Sequence, residues 1–114
     1  MTRASLWLLL PALFTGCAAP TNYSWGHYES VVYATYATPD KMPAERQIEL
    51  LEQDYQKARG ENKPVPPGFH AYLGYLYFQL GRMDQARQEF ETEKAQFPES
   101  AVFMDRLLAN LART

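Results

Sequence analysis

The sequence has little cysteine and no long apolar run, and its charges are nearly balanced. One of its 114 residues is cysteine, which excludes an internal disulfide framework. The longest apolar run, residues 6–14, is shorter than the roughly 20 residues of a transmembrane helix. Eleven basic residues against 13 acidic ones give a net charge of −2, which argues against a nucleic-acid-binding protein. The length and composition are therefore those of a single small domain, alone or with a tether.

The sequence also lacks the motifs of known catalytic and metal sites. His27 and His70 are far apart and have no cysteine or carboxylate at zinc-ligand spacing. Neither a glycine-rich phosphate loop nor a nucleophile elbow is present. The pattern of Glu89, Glu91 and Glu93 indicates a solvated helix face rather than an acid/base pair. We therefore predict no enzyme activity, no metal ion and no cofactor.

The start of the chain is typical of a secretory signal peptide. Arg3 gives a short basic head, and the apolar run of residues 6–14 follows. Thr15, Gly16 and Cys17 then resemble the bacterial lipobox, in which the cysteine becomes the first mature residue and carries the lipid. Phe14 departs from that pattern, which usually has leucine there. The alternatives are an uncleaved signal and a cytosolic protein with a buried cysteine.

Lipidation of Cys17 explains a lone thiol in an exported protein. Several acyl chains make a lasting anchor, whereas one chain, at about 0.8 kcal/mol per buried methylene, holds only marginally. Ala18, not aspartate, follows the cysteine, and in lipoprotein sorting this implies the outer membrane, on its periplasmic face. The predicted organisation is a signal peptide over residues 1–16, a lipidated tether over 17–23 and a helical domain over 24–114.

Cleavage would leave the mature chain more acidic. Loss of Arg3 leaves 10 basic residues against the 13 acidic ones, a net charge of −3. We therefore predict no basic patch for anionic lipid, so that the acyl chains alone hold the protein on the membrane.

Apolar periodicity predicts an all-α fold after the tether. The first helix is expected from a Ser24 cap through Tyr36, with its buried stripe formed by Trp25, Tyr28, Val32 and Tyr36. A strand around residues 31–33 is the alternative, and a ligand groove is the alternative role of the aromatic residues. The second helix is expected to follow an Asp40 cap and to end at Gly60 as its C′ residue. Further helices are expected over residues 67–80 and 83–97, and after a Ser100 cap.

The third and fourth helices form the clearest motif in the chain. The helix over residues 67–80 has an apolar stripe with Gly74 at its centre, and such a glycine usually marks close helix approach. The positions that define the motif are Leu73, Gly74, Tyr77, Gly81, Ala86, Phe90 and Pro98. Their order and spacing resemble one tetratricopeptide (TPR) repeat, a 34-residue helix–turn–helix unit. His70 replaces the usual tryptophan, and Glu93 replaces a small residue, which suggests looser packing there.

One repeat cannot bury its faces alone, so the flanking helices are expected to cover it. The predicted fold is thus a short antiparallel helical array, a TPR-like hairpin with flanking helices. The order of lipobox, WGHYES segment and single repeat resembles a family of small, uncharacterised TPR-type bacterial lipoproteins. Their genes often lie near those of curli-secretion-like outer-membrane lipoproteins. This resemblance implies a setting in envelope assembly.

The resemblance also implies a binding face, because the first helix of a TPR repeat lines a concave groove. By position that face carries Ala71, Tyr75, Phe78 and Gln79, which lie off the core seam. The expected partner is a protein of the cell envelope, such as another lipoprotein, with no role for nucleic acid. The alternatives are a regulator of a peptidoglycan synthase and, more remotely, an envelope hydrolase.

Overall fold

The computed structural model describes residues 22–114, and every regular element in that range is helical. The helices are α1 (Tyr28–Ala37), α2 (Ala44–Gly60), α3 (Phe69–Gln79), α4 (Met83–Gln96) and α5 (Ala101–Leu111). Single turns of 3-10 helix, Pro39–Lys41 and Pro98–Ser100, precede α2 and α5. The prediction of an all-α fold is confirmed. The predicted signal peptide and Cys17 lie outside the described residues.

Helices α3 and α4 form an antiparallel hairpin. Residues along α3 meet residues progressively earlier in α4: Gly68 contacts Glu93, and His70 contacts Glu89. The turn between the helices depends on Gly81, whose φ of +72° is a conformation that glycine adopts without strain. The backbone N–H of Arg82 closes the end of α3 by donating to the carbonyl of Tyr77 at 2.9 Å. The predicted turn at Gly81 is present.

The hairpin packs most closely at Gly74, as the sequence predicts. A Cβ atom at this position would lie 2.6 Å from Cε1 of Phe90 and 3.2 Å from the carbonyl oxygen of Ala86. Leu73, Tyr77, Ala86 and Phe90 are all buried around this contact. Together with residues of α1, α2 and α5 they form one apolar core.

The expected looser packing at Glu93 is wrong, and so is the expected solvated face of α4 at this residue. Glu93 is only 2% exposed. Its carboxylate accepts hydrogen bonds from the backbone N–H of Gly68 at 2.7 Å and of Ala71 at 3.3 Å. The N–H groups of a first helical turn have no acceptor within their helix, and the helix dipole favours a carboxylate beside them. Glu93 therefore caps α3 from the neighbouring helix.

Glu89 is the second residue of that face with a structural contact. Its carboxylate lies 2.6 Å from Nδ1 of His70, whose side chain is buried. Glu91, between the two, is exposed as predicted. The face of α4 is therefore divided between solvent and α3.

The first helix begins three residues later than predicted, with His27 rather than Ser24 before its first residue, because Gly26 interrupts it. Gly26 has a φ of +48° and lies directly against the carboxylate of Asp54 in α2. The backbone N–H of His27 donates to Asp54 at 2.6 Å. Ser24 does not cap α1; its N–H donates instead to the carbonyl of Pro64 at 2.8 Å. The segment before α1 is therefore attached to α2 and to the loop that follows it.

The predicted buried stripe of α1 is also wrong. Trp25 precedes the helix and is 41% exposed, and Tyr36 is 83% exposed. The residue with no exposure is Val31. With Tyr28 and Thr35, it follows an i, i+3, i+7 spacing, which is the stripe that faces the core. The prediction of a helix rather than a strand over residues 31–33 is confirmed, but the prediction of its buried face from the aromatic residues is wrong.

The predicted caps of α2 and α5 differ from those observed. Asp40 lies in the 3-10 turn, and Pro43 occupies the position before α2. Gly60 is the last residue of α2 rather than its C′ residue, and the left-handed position is taken by Asn62, with a φ of +53°. Ser100 precedes α5, but its hydroxyl donates to the carbonyl of Phe97 rather than to the helix.

Candidate functional site: an apolar groove between α3 and α5

An open groove of about 440 Å³ lies between α3 and α5. Both helices pack on α4, and Phe90 of α4 lies at the bottom of the groove. Six side chains form the two walls: Ala71, Tyr75 and Phe78 from α3, and Phe103, Leu107 and Leu111 from α5. The groove is therefore a consequence of placing two helices side by side on a third.

The sequence of α3 leaves one face of this helix free for the groove. Leu73, Leu76 and Tyr77 are buried in the core. Each residue of an α-helix is rotated by about 100° from the one before it. Tyr75 and Phe78 therefore lie on a different side of α3 and project beside the core rather than into it. In α5, the wall residues Phe103, Leu107 and Leu111 follow a spacing of four, which aligns them along one side of a helix.

Three large aromatic side chains of the groove remain accessible to solvent. Tyr75 is 45% exposed, Phe78 39% and Phe103 60%. Contiguous exposed apolar surface is unfavourable for an isolated soluble domain, and it commonly marks an interaction site. Asn110 is the polar amide at the rim, and no charged side chain lines the groove. These properties suit an uncharged, apolar binding partner.

Tyr72 connects the groove to the polar contacts between α1 and α2. Its hydroxyl donates to Oε1 of Gln47 at 2.6 Å and lies 2.6 Å from Oγ1 of Thr35. Burial raises the pKa of the Tyr72 phenol, although the hydrogen bond with Thr35 opposes this shift. Its ring also lines the groove, 6.2 Å from the ring of Tyr75. The hydrogen bonds therefore fix one wall aromatic in a defined orientation.

The structure brings together three of the four residues predicted for the binding face. Ala71, Tyr75 and Phe78 line the groove, whereas Gln79 does not. The amide of Gln79 instead donates to the hydroxyl of Tyr75 at 2.8 Å. Gln79 thus contacts a groove residue without forming part of the wall.

The second wall was not predicted from the sequence. A helix was expected after Ser100, but none of its residues was assigned to a site. The spacing of four between Phe103, Leu107 and Leu111 was the available signal, but it does not reveal which neighbour the stripe faces. Met104 of α5 is buried, whereas Phe103 beside it is exposed. That contrast depends on how α5 is rotated against α4.

Neither a membrane-spanning helix nor a metal-binding cluster is found among residues 22–114. No helix in this range combines the length and apolar character needed to cross a membrane. Nor does the same range contain three or more histidine, cysteine, aspartate or glutamate residues placed to hold a metal ion.

The fold and the groove define an all-helical domain with an exposed apolar groove on its surface. Residues 22–107 match the family described as a domain of unknown function, DUF4810, and the chain belongs to this family. No curated protein and no solved structure matches the chain. The matched range includes all of α1 to α4 and, in α5, the groove residues Phe103 and Leu107.

Proposed function

We propose that this chain is a lipid-anchored protein-interaction module that acts in envelope or secretion-complex assembly. The groove between α3 and α5 binds an apolar segment of a partner protein, and Cys17 attaches the module to the outer membrane on the periplasmic side. The observation that carries this proposal is the convergence of Tyr75, Phe78 and Phe103 on one uncharged groove.

The α3–α4 hairpin supports assignment to the tetratricopeptide type. Its small residues, Gly74 and Ala86, lie where the two helices cross, and Phe90 packs against Gly74. Helices α1, α2 and α5 cover the faces that neighbouring repeats cover in longer arrays. On this assignment α3 is the first helix of the repeat, and its groove face is the surface that such repeats use for binding.

The dimensions of the groove indicate what kind of segment would fit. Helix α3 has 11 residues, and at 1.5 Å per residue it is about 16 Å long. A groove of that length accommodates two to three turns of a partner helix. Since the lining is apolar and uncharged, we propose that the partner contributes the apolar face of an amphipathic helix, the helix-in-groove mode of recognition.

The test is to remove the two exposed aromatics of α3 without disturbing the core. We expect Tyr75→Ala/Phe78→Ala to retain the helical circular dichroism spectrum and to lose at least tenfold in capture of its partner from envelope extracts. Exposed interface aromatics often contribute more than 1 kcal/mol each, and 1.4 kcal/mol is a factor of ten.

Tyr33→Ala/Val102→Ala is the matched control, because these side chains are exposed and lie outside the groove. Equal capture by both double variants would reject the groove as the binding site. Unfolding of Tyr75→Ala/Phe78→Ala would assign the two aromatics to the fold instead. A peptidoglycan synthase among the captured proteins would favour the regulatory role.

A further inference from the structure

A second pocket, of about 460 Å³, lies where the tether meets the domain. Tyr23, Tyr55 and Phe97 supply aromatic surface, and Arg59 and Lys63 supply two positive charges. This pocket has no lining residue in common with the groove between α3 and α5. Both sites can therefore be occupied at the same time by different ligands.

The start of the domain is fixed beside this pocket. The N–H of Ser24 donates to the carbonyl of Pro64, and Pro64 is itself a lining residue. The ring of Tyr23, which the sequence assigned to the tether, packs edge-on against Phe97 with ring centroids 6.3 Å apart. Asn22 lies five positions after Cys17, so a fully extended tether reaches about 18 Å. If Cys17 carries the anchor, as the proposed function requires, the pocket is held close to the lipid surface.

The local charge differs from that of the rest of the domain. Residues 57–63 contain three basic residues and one acidic residue, a net charge of +2. The other described residues contain seven basic and 12 acidic residues, a net charge of −5. The net charge of the described residues, −3, is the sum of these two values. The prediction of no basic patch was based on that net charge alone and did not consider how the charge is distributed.

The two cations of the pocket have no carboxylate partner within the described range. The four ion pairs found among residues 22–114 do not include Arg59 or Lys63. The guanidinium of Arg59 lies over the ring of Tyr55, 5.8 Å from its centroid, an arrangement that orients the side chain without neutralising it. The pocket therefore offers positive charge to an anion beside aromatic surface.

We propose that this pocket binds the phosphate group of an anionic phospholipid in the leaflet that holds the acyl chains of Cys17. Basic side chains near an anionic membrane surface are attracted to it within a Debye length. Tyrosine and tryptophan are favoured at the level of the headgroups. Trp25, 6.4 Å from Tyr23 between ring centroids, supplies a further aromatic at this edge. Lipid binding here fixes the orientation of the domain on the membrane.

Trp25 is also the natural reporter for this proposal. The chain contains two tryptophans, Trp7 and Trp25, and cleavage before Cys17 removes Trp7, so that the lipid-anchored protein has Trp25 as its single tryptophan. This protein, isolated with its lipid anchor, is incorporated into phosphatidylcholine vesicles with or without phosphatidylglycerol. Lipids brominated near the headgroup serve as quenchers. We expect phosphatidylglycerol to shift Trp25 emission to shorter wavelength and to increase quenching at least twofold, and added salt to reverse both effects.

The double variant Arg59→Gln/Lys63→Gln should lose the response to phosphatidylglycerol while remaining on the vesicles. Lys41→Gln/Arg113→Gln removes the same charge at exposed positions outside the pocket and should keep the response. Equal behaviour of the two variants, or no effect of phosphatidylglycerol on the unsubstituted pocket, would overturn lipid binding. Flotation of the protein with phosphatidylcholine alone, lost in Cys17→Ser, tests the anchor separately, so failure of the anchor is distinguishable from failure of the pocket.

Discussion

At the scale of single residues, close packing could be predicted from the sequence, whereas polar contacts between distant residues could not. Gly74 was recognisable as a point of close helix approach, because a glycine inside an apolar helical stripe has few other reasons to be there. Glu93 was not recognisable as a cap, because its partners, the N–H groups of Gly68 and Ala71, lie more than 20 residues earlier in the chain. A polar residue facing a helix end in space has the same sequence pattern as one facing water.

Two glycines allow a direct test of the close approach. Gly74→Ala should lower the free energy of unfolding by about 1–3 kcal/mol, the usual cost of inserting a methyl group into a packed core. The new methyl would press on the Phe90 ring and on the backbone of Ala86, outweighing the gain in helix propensity of about 1 kcal/mol.

Gly60→Ala is the control for that measurement, because nothing lies within 4 Å of a Cβ at Gly60. This change should leave stability unaltered or raise it by up to about 1 kcal/mol. Urea denaturation of both variants gives the comparison. A stabilised Gly74→Ala variant would show that the two helices are not in contact there.

At the scale of elements, the sequence predicted the helices but not their ends or the face that each one buries. The end of α3 at Gln79 was predictable to within two residues, because Gly81 forms the turn that follows it. The start of α1 was not, because Gly26 is positioned by Asp54 of α2. Contacts between helices, such as that of Gly26 with Asp54, therefore determine helix ends that local capping rules do not predict.

The cap that α4 supplies to α3 can be tested by neutralising its carboxylate. Glu93→Gln should destabilise the domain by about 1–2 kcal/mol, because an amide offers one acceptor oxygen and no charge to the first turn of α3. Glu91→Gln, at an exposed site of the same helix, should change stability by less than about 0.5 kcal/mol. Thermal unfolding of the pair provides the measurement, and equal melting temperatures would show that the cap contributes nothing.

The contact between α2 and α3 predicts a dependence of stability on alkaline pH. Burial raises the pKa of the Tyr77 phenol, and its hydrogen bond to Glu52, at 2.7 Å, raises it further. A group whose pKa is higher in the folded state contributes stability that is complete below its ordinary value of 10.0 and is lost as the pH rises above it.

Tyr77→Phe removes the titrating group, so its stability should fall less steeply above pH 10 than that of the unsubstituted chain. At neutral pH it should cost about 1 kcal/mol for the lost hydrogen bond. Chemical denaturation across the alkaline range measures both. Tyr28 and Tyr72 also have pKa values raised mainly by burial, so a residual alkaline loss is expected in the variant. Identical slopes would contradict a role for the Tyr77 phenol.

At the scale of the whole molecule, the sequence predicted the fold class and one wall of the groove. Tyr75 and Phe78 could be assigned because the core stripe of α3 was clear enough to show which residues lay off it. Phe103 could not, since it belongs to the same apolar side of α5 as Met104, and only the packing of α5 on α4 decides that Met104 is buried while Phe103 is exposed. The groove between α3 and α5 therefore could not be predicted without the positions of both helices.

The central claim is that partner proteins bind between α3 and α5. It is tested most directly by introducing the photoreactive amino acid benzoylphenylalanine into the full-length chain in cells, at Phe103 in the groove or at Tyr33 outside it. Both positions are exposed, so unspecific labelling should be similar. We predict a discrete crosslinked product from position 103 that is absent from position 33 and is abolished by Tyr75→Ala/Phe78→Ala. Equal products from both positions, or a product that survives loss of the two aromatics, would contradict the account.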